Sequence, residues 1–290
     1  MLKNSPQNDM KETYPLALTI AGSDTGGGAG IQADLRTFSS FGVFGTSVIT
    51  AITAQNHSEI MGIEAVSSEI LNLQLKAVFS KLAVKTVKIG MIPNLESAEI
   101  IIDTLKNTSR AIEVIIDPVM ISSSGKSLMI DGTLKYIKKN LFPIADWLTP
   151  NIQEAETILN RKLPDKQSII NASIELSEIY DCISIVKGGD SASESADDFL
   201  TVKKATYNLS SDRIKTPPFG TSSFSHGTGC TFSSAIAACR SLDMHWKDSV
   251  ISAKAFVLGS LNETVKIGNN ITAMYPPAAS YRNKIKIKKI

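Results

Sequence analysis

Short β-branched runs alternate with amphipathic stretches along the 290-residue chain. The runs at 16–21, 47–53, 86–90, 114–117, 147–149 and 183–187 are nearly continuous in apolar residues. That is the pattern of strands buried on both faces. Between and after them, apolar residues recur with helical spacing over 30–40, 68–81, 95–107, 132–140, 152–160, 167–180, 228–241 and 247–266. Strands alternating with helices predict an α/β fold with a mostly parallel sheet covered on both faces. The segment 197–210 reads as one or two strands with a turn, an antiparallel edge. Such sheets bind ligands at the carboxyl ends of their strands. Each motif singled out below falls at such an end. No repeat of fixed period and no low-complexity linker divides the chain.

Composition narrows the class. At 43% hydrophobic with a net charge of +2, the chain is not mainly disordered. No run approaches the roughly 18 apolar residues that span a bilayer. The near balance of charge speaks against nucleic acid as main partner. Its distribution is uneven, however. The last ten residues hold five of the 30 basic side chains and no acid, so the rest carries 25 against 28, a net of −3. Anion binding must therefore come from local devices rather than a bulk field. The basic tail reads as a solvated end or a self-association element. Cys182, Cys230 and Cys239 lack C-x-x-C spacing, and with only three histidines a disulfide scaffold or zinc site is not expected. Residues 1–13 are polar and read as a flexible leader, not a secretory signal. The expected compartment is a reducing cytoplasm, where triplets such as Asn107-Thr-Ser meet no glycosylation machinery.

Two glycine clusters carry the chemistry. The first, GSDTGGGAG at 22–30, directly follows the first strand. It fails the dinucleotide fingerprint, because the last glycine would fall at Ile31 or Ala33, and no acidic residue ends the second strand. Gly125-Lys126-Ser127 ends like a phosphate-binding loop, but its first glycine would have to stand at Met120. The second cluster, SHGTGCTF at 225–232, opens an apolar helix. Gly227 and Gly229 leave the first-turn N–H groups unhindered, an anion site that needs no basic side chain. Cys230 sits at this positive end, where a thiol pKa is typically lowered. His226 lies four residues earlier. That spacing straddles a glycine turn and does not by itself make a Cys–His hydrolase dyad.

Seven blocks in order then carry a resemblance: GSDTGGGAGIQADLRTF, SVITAITAQN, VKIGM, DPVM, LTPNIQEAE, VKGG and HGTGCTFSSA. Over roughly residues 15–266 the chain resembles hydroxymethylpyrimidine/phosphomethylpyrimidine kinases, thiamin-pathway members of the ribokinase superfamily. The resemblance implies a ribokinase-like three-layer α/β/α sandwich. It assigns 14–267 to a kinase domain and 268–290 to an extension with the basic tail. It implies ATP and Mg²⁺ as cofactors and a small aminopyrimidine alcohol and its phosphate as substrates. Neither nucleic acid nor membrane is implied as a partner, and a homodimer is expected, with strand pairs near 43–66 able to extend a sheet across an interface.

The same resemblance places the roles. Gly227, Thr228 and Gly229 would face the transferred phosphoryl group, with Cys230 at the catalytic position. Asn151 and Glu154 match an N-x-x-E motif that organises Mg²⁺ and phosphate through water, and Asp117 would be a second carboxylate near the metal. Asn151 and Glu154 also have the spacing of a helix-capping box. Lys187 would reach the ATP phosphates. Asp34, Gln55, Met91, Gly22 and Ala29 match the pyrimidine-contacting positions. An amide such as Gln55 can pair the adjacent donor and acceptor edges of an aminopyrimidine, and Met91 offers a polarisable wall. Gly26 and Thr25 depart from the family pattern and predict a more flexible loop. Asp190 and residues 217–225 also depart from it. A pyridoxal kinase of the same superfamily is the nearest rival, with dual activity open. An NAD-dependent oxidoreductase and a non-catalytic pyrimidine-binding module are the rivals from other classes.

Overall fold

The computed structural model describes residues 14–56, 59–108, 111–120, 128–130, 132–189, 195–214, 226–268 and 271–290. The leader, residues 125–127, Asp190 and residues 217–225 lie outside the described residues.

The elements follow the hydrophobic pattern closely. Among the described residues, strands β1 (Leu16–Asp24), β2 (Phe44–Gln55), β3 (Ile60–Ala65), β4 (Thr86–Ile89), β5 (Glu113–Ile116), β6 (Trp147–Leu148), β7 (Ile183–Lys187), β8 (Ser195–Val202), β9 (Ala205–Asp212), β10 (Val265–Gly268), β11 (Ile271–Ala273) and β12 (Lys286–Lys289) are joined by eight helices. The helices are α1 (Gly30–Ser40), α2 (Ser68–Lys81), α3 (Leu95–Asn107), α4 (Thr133–Asn140), α5 (Ile152–Leu159), α6 (Lys166–Tyr180), α7 (Thr228–Ser241) and α8 (Trp246–Asn262). Local chemistry sets several of the ends. Ser67, Asn94, Asn151 and Asp165 cap α2, α3, α5 and α6 with side-chain oxygens. Asn160 and Asp181 end α5 and α6 in the left-handed conformation.

One 10-stranded sheet runs β12-β9-β8-β7-β6-β5-β4-β1-β2-β3. The block from β2 to β7 is parallel, and β3, β8, β9 and β12 join antiparallel. Alternate strand residues feed two cores. Leu18, Ile116, Leu148 and Val186 pack with α2 to α6 on one face. Their neighbours Ala17, Ile115, Trp147 and Ile185 pack with α1, α7 and α8 on the other. The three-layer α/β/α sandwich is the direct result.

Two elements differ from the sequence reading, whereas β3 supplies the strand pairing expected near 43–66. Helix α8 stops at Asn262, where β10 and β11 form a small hairpin, rather than continuing to 266. The basic tail is not a solvated end. β12 pairs antiparallel with β9, while Ile285 and Ile287 pack against the second core. It, and not 197–210, forms the outer edge of the sheet. No helix among the described residues is long and apolar enough to cross a membrane.

Deleting residues 286–290 uncovers the ladder on β9 and the Ile287 contact. The expected cost is about 1–3 kcal/mol, read as a melting temperature several degrees lower. An unchanged melt would place the tail outside the cooperative unit.

Candidate active site

A cleft of about 790 Å³ lies along the carboxyl ends of the parallel strands. The strand order gives it two ends. Gly22, Gln55 and Met91 line the end near β1, β2 and β4, whereas Asp198, Lys254 and Leu258 line the end near β8 and α8. Asp117, Asn151, Glu154, Lys187 and the turn Gly227–Cys230 lie between them.

Asp24 organises the first glycine turn. Its carboxylate accepts the backbone N–H groups of Gly26 at 2.8 Å, Gly28 at 3.0 Å and Ala29 at 2.8 Å. Burial pushes the Asp24 pKa up, but His226 and these amides outweigh it and hold it below the usual value. The loop expected to be flexible is thus tied to one side chain, and the Thr25 hydroxyl adds a bond to the Thr53 carbonyl. His226 brings the second turn to the same carboxylate. Its Nε2 lies 3.1 Å from Asp24 Oδ2 and 3.2 Å from Gln55 Nε2.

The two turns touch. Gly227, at φ +85°, is the N-cap of α7, and a Cβ there would lie 1.9 Å from the Gly28 carbonyl oxygen. Gly30, at φ +56°, is equally closed, since a Cβ would meet Gly22 O at 2.3 Å. Gly22 in turn leaves space for Met91, whose Sδ would be 2.9 Å from a Cβ.

Gly229 packs over an ion pair. A Cβ there would lie 3.1 Å from Lys187 Nζ and 3.5 Å from Asp117 Oδ2. Lys187 Nζ donates to Asp117 Oδ1 at 2.7 Å. Burial lowers the Lys187 pKa, yet Asp117 and Glu154 reverse this and hold it above the usual lysine value. The ammonium therefore stays charged at the end of β7. Asp198 fixes the following turn by accepting the Gly188 N–H at 3.0 Å, while its other oxygen takes Lys254 Nζ at 2.6 Å. Asn151 and Glu154 do form the capping box, through bonds of 2.8 and 2.7 Å. Both also line the cleft, so the two readings of that motif are compatible.

Two expectations are corrected. Asp34 does not line the cleft. It is fully buried, and its carboxylate is saturated by Lys88, by Thr19 Oγ1 at 2.6 Å and by Ser234 Oγ at 2.6 Å. Nor is the Cys230 thiol lowered by its helix start. Burial pushes it up to about 11 against the opposing pull of Lys88. Sequence reasoning missed Asp24, Lys88, Asp198 and Lys254. Lys88, Asp198 and Lys254 work through partners distant in sequence, so no local signal marked them, whereas Asp24 stands inside the glycine motif and holds the amides that follow it.

A helix N-terminus, a fixed lysine and paired carboxylates meeting in a cleft at strand ends suit charge neutralisation and positioning of a phosphoryl group. Fold and site together define a small-molecule kinase of ribokinase-like architecture. Comparison with known proteins agrees. The phosphomethylpyrimidine kinase family model matches residues 24–275, and the chain belongs to that family. It is 39% identical over 248 residues to the hydroxymethylpyrimidine/phosphomethylpyrimidine kinase of Rhizobium meliloti, covering 85% of this chain and 90% of that one. The Haemophilus influenzae protein of the same name is 38% identical over 255 residues, covering 87% and 92%. Among solved structures, a phosphomethylpyrimidine kinase from Clostridium difficile is 36% identical with a TM-score of 0.72, covering 84% of this chain and 97% of that one. A pyridoxal kinase from Staphylococcus aureus in complex with ADP reaches a TM-score of 0.84 at 26% identity, covering 96% and 100%.

Gly227→Ala forces the two turns apart. Activity should fall by about 10²-fold or more, because small displacements of positioned groups cost that much. Steady-state kinetics on protein with a parental circular dichroism spectrum checks this.

Proposed function

We propose that the protein uses ATP to phosphorylate 4-amino-5-hydroxymethyl-2-methylpyrimidine and then phosphorylates the monophosphate to the diphosphate, in thiamin biosynthesis. The observation that carries the reading is the junction of Gly227–Cys230 with the Lys187–Asp117 pair, next to an acceptor end lined by Gln55 and Met91. In this reading the first-turn N–H groups of α7 and the Lys187 ammonium hold the transferred group. Gln55 pairs the aminopyrimidine edge, and Met91, Gly22 and Ala29 shape the ring's slot. The Asp198–Lys254 end receives the nucleoside, and Asn151 orients the phosphates.

Mg²⁺ belongs to the proposal, and the donor set fits it. Mg²⁺ commonly takes one or two carboxylates and keeps its waters beside substrate phosphates. Asp117 and Glu154 are both buried cleft residues acting on Lys187. Their other bonds favour contact through water. Among the described residues no cluster of three His, Cys, Asp or Glu side chains forms a dedicated cage. The ion's chemistry there would be neutralisation of phosphate charge. We place the enzyme in a reducing cytoplasm, which suits its three free cysteines. We also retain the homodimer through β2 and β3, where Phe44, Ile52 and Met61 are exposed.

ADP release with ATP–Mg²⁺ and each acceptor tests the reading. Turnover is expected with hydroxymethylpyrimidine and with its phosphate. No ADP from either would overturn the proposal. A pyridoxal arm is warranted by the breadth of the structural match to pyridoxal kinase, and turnover with pyridoxal alone would select that activity.

The two steps should separate at Cys230. A phosphate monoester is already anionic near neutral pH and needs no base, whereas a hydroxyl does. Cys230→Ala should slow the first phosphorylation by about 10²-fold or more and the second by less than about tenfold. Equal losses in single-turnover assays would remove the base role.

A further inference from the structure

His226 touches two partners that make opposite demands on one atom. Its Nε2 lies 3.1 Å from Asp24 Oδ2 and 3.2 Å from Gln55 Nε2. All three residues line the cleft. A ring nitrogen either carries a hydrogen and donates or lacks one and accepts. Asp24 decides between the two. Its carboxylate accepts three backbone N–H groups and is held below its usual pKa, so it is ionised and can only accept. His226 Nε2 therefore carries the hydrogen, whether the ring is neutral or charged. It has no lone pair left for an amide N–H2, and two donors facing each other repel. The two ends of an amide are alike in shape, and their hydrogen bonds decide which is which. Turning the Gln55 amide over sets its oxygen against His226. The one Nε2 hydrogen is then shared between two oxygens at nearly equal distances, a three-centre bond.

We propose that His226 is a specificity-determining positioning residue, which holds the Gln55 amide in one orientation so that the acceptor end takes a 4-aminopyrimidine and rejects the 4-oxo ring.

The chemistry of the two rings gives the reason. An aminopyrimidine edge sets a donor, the exocyclic N–H, beside an acceptor, the ring nitrogen. A 4-oxo edge sets an acceptor, the carbonyl, beside a ring N–H donor. An amide free to turn by half a revolution exchanges its oxygen and nitrogen and can match either edge. A held amide matches one edge and leaves the other with facing donors and facing acceptors, which is costly in a cleft. The hold runs back to the main chain. The amides of Gly26, Gly28 and Ala29 fix Asp24, Asp24 fixes the hydrogen on His226, and that hydrogen fixes Gln55.

The choice of ring rests on the kinase reading above, and the two can fail separately. Long-range ¹H–¹⁵N spectra of protein labelled with ¹⁵N-histidine read the tautomer with no substrate present. The chain has three histidines, and the signal lost in His226→Gln is the one sought. A hydrogen is expected on its Nε2, and a bare Nε2 would overturn the proposal. In kinetics, the parent should prefer hydroxymethylpyrimidine to its 4-oxo analogue by about 10²-fold or more in kcat/KM. His226→Leu, checked for folding by circular dichroism and a thermal melt, should narrow that ratio to about tenfold or less, because the amide turns freely. His226→Gln, whose N–H2 can serve both oxygens, should keep the ratio within about threefold of the parent. Loss of packing alone would lower both rates together and leave the ratio where it was. A folded His226→Leu with the parental ratio, or a parent indifferent to the two rings, would sink the idea. If the parent phosphorylates no pyrimidine, the kinase reading fails, and equilibrium dialysis of the two rings against parent and variants reads the same ratio as affinities. Equal binding of the two rings, or binding of neither, would then overturn this proposal as well.

Discussion

The closest constraint in the molecule is the contact between its two glycine turns. Gly28 presents a carbonyl oxygen where any side chain on Gly227 would stand. This contact locks the end of β1 against the start of α7, although the two are some 200 positions apart in the chain. Asp24 binds both sides, holding the first turn by its amides and the second through His226. In the proposed reading the acceptor slot belongs to the first turn and the anion site to the second. Their relative position is therefore set by backbone atoms in van der Waals contact, which few side-chain changes can disturb.

Charge inside the cleft is handled in pairs. Lys88 with Asp34, Lys187 with Asp117 and Lys254 with Asp198 each join a buried ammonium to a buried carboxylate. Removing one member strands the other, which is costly. These pairs suit a body that carries slightly more acid than base and still has to gather phosphates. The positive charges are few, and each of these three is held by a fixed carboxylate.

Much of this was legible in the sequence because the hydrophobic periods are strong. Helices α1, α2, α3 and α7 begin and end where capping residues and the glycine turns predict. The bounds of β3, within the strand pairing expected near 43–66, are hidden because Ile60–Ala65 mixes Gly and Glu into a short edge run after a polar turn. α8 was read too long because no Gly or Pro interrupts 260–266, and the hairpin that follows is set by contacts rather than local propensity. Asp34 misled for a different reason. A carboxylate in a helix reads as exposed or ligand-facing, and its real partner, Lys88, is 54 positions away on a strand. Cys230 misled because its helix start predicts a low pKa, whereas burial, which no local pattern reports, dominates.

The edge strand β12 has a further effect. Lys286, Lys288 and Lys289 are exposed along it, while Ile287 turns inward. Another sheet approaching this margin would meet like charge on a second copy, a known guard against strand-to-strand aggregation. The lysines of the tail thus blunt this margin of the sheet against pairing with a further strand.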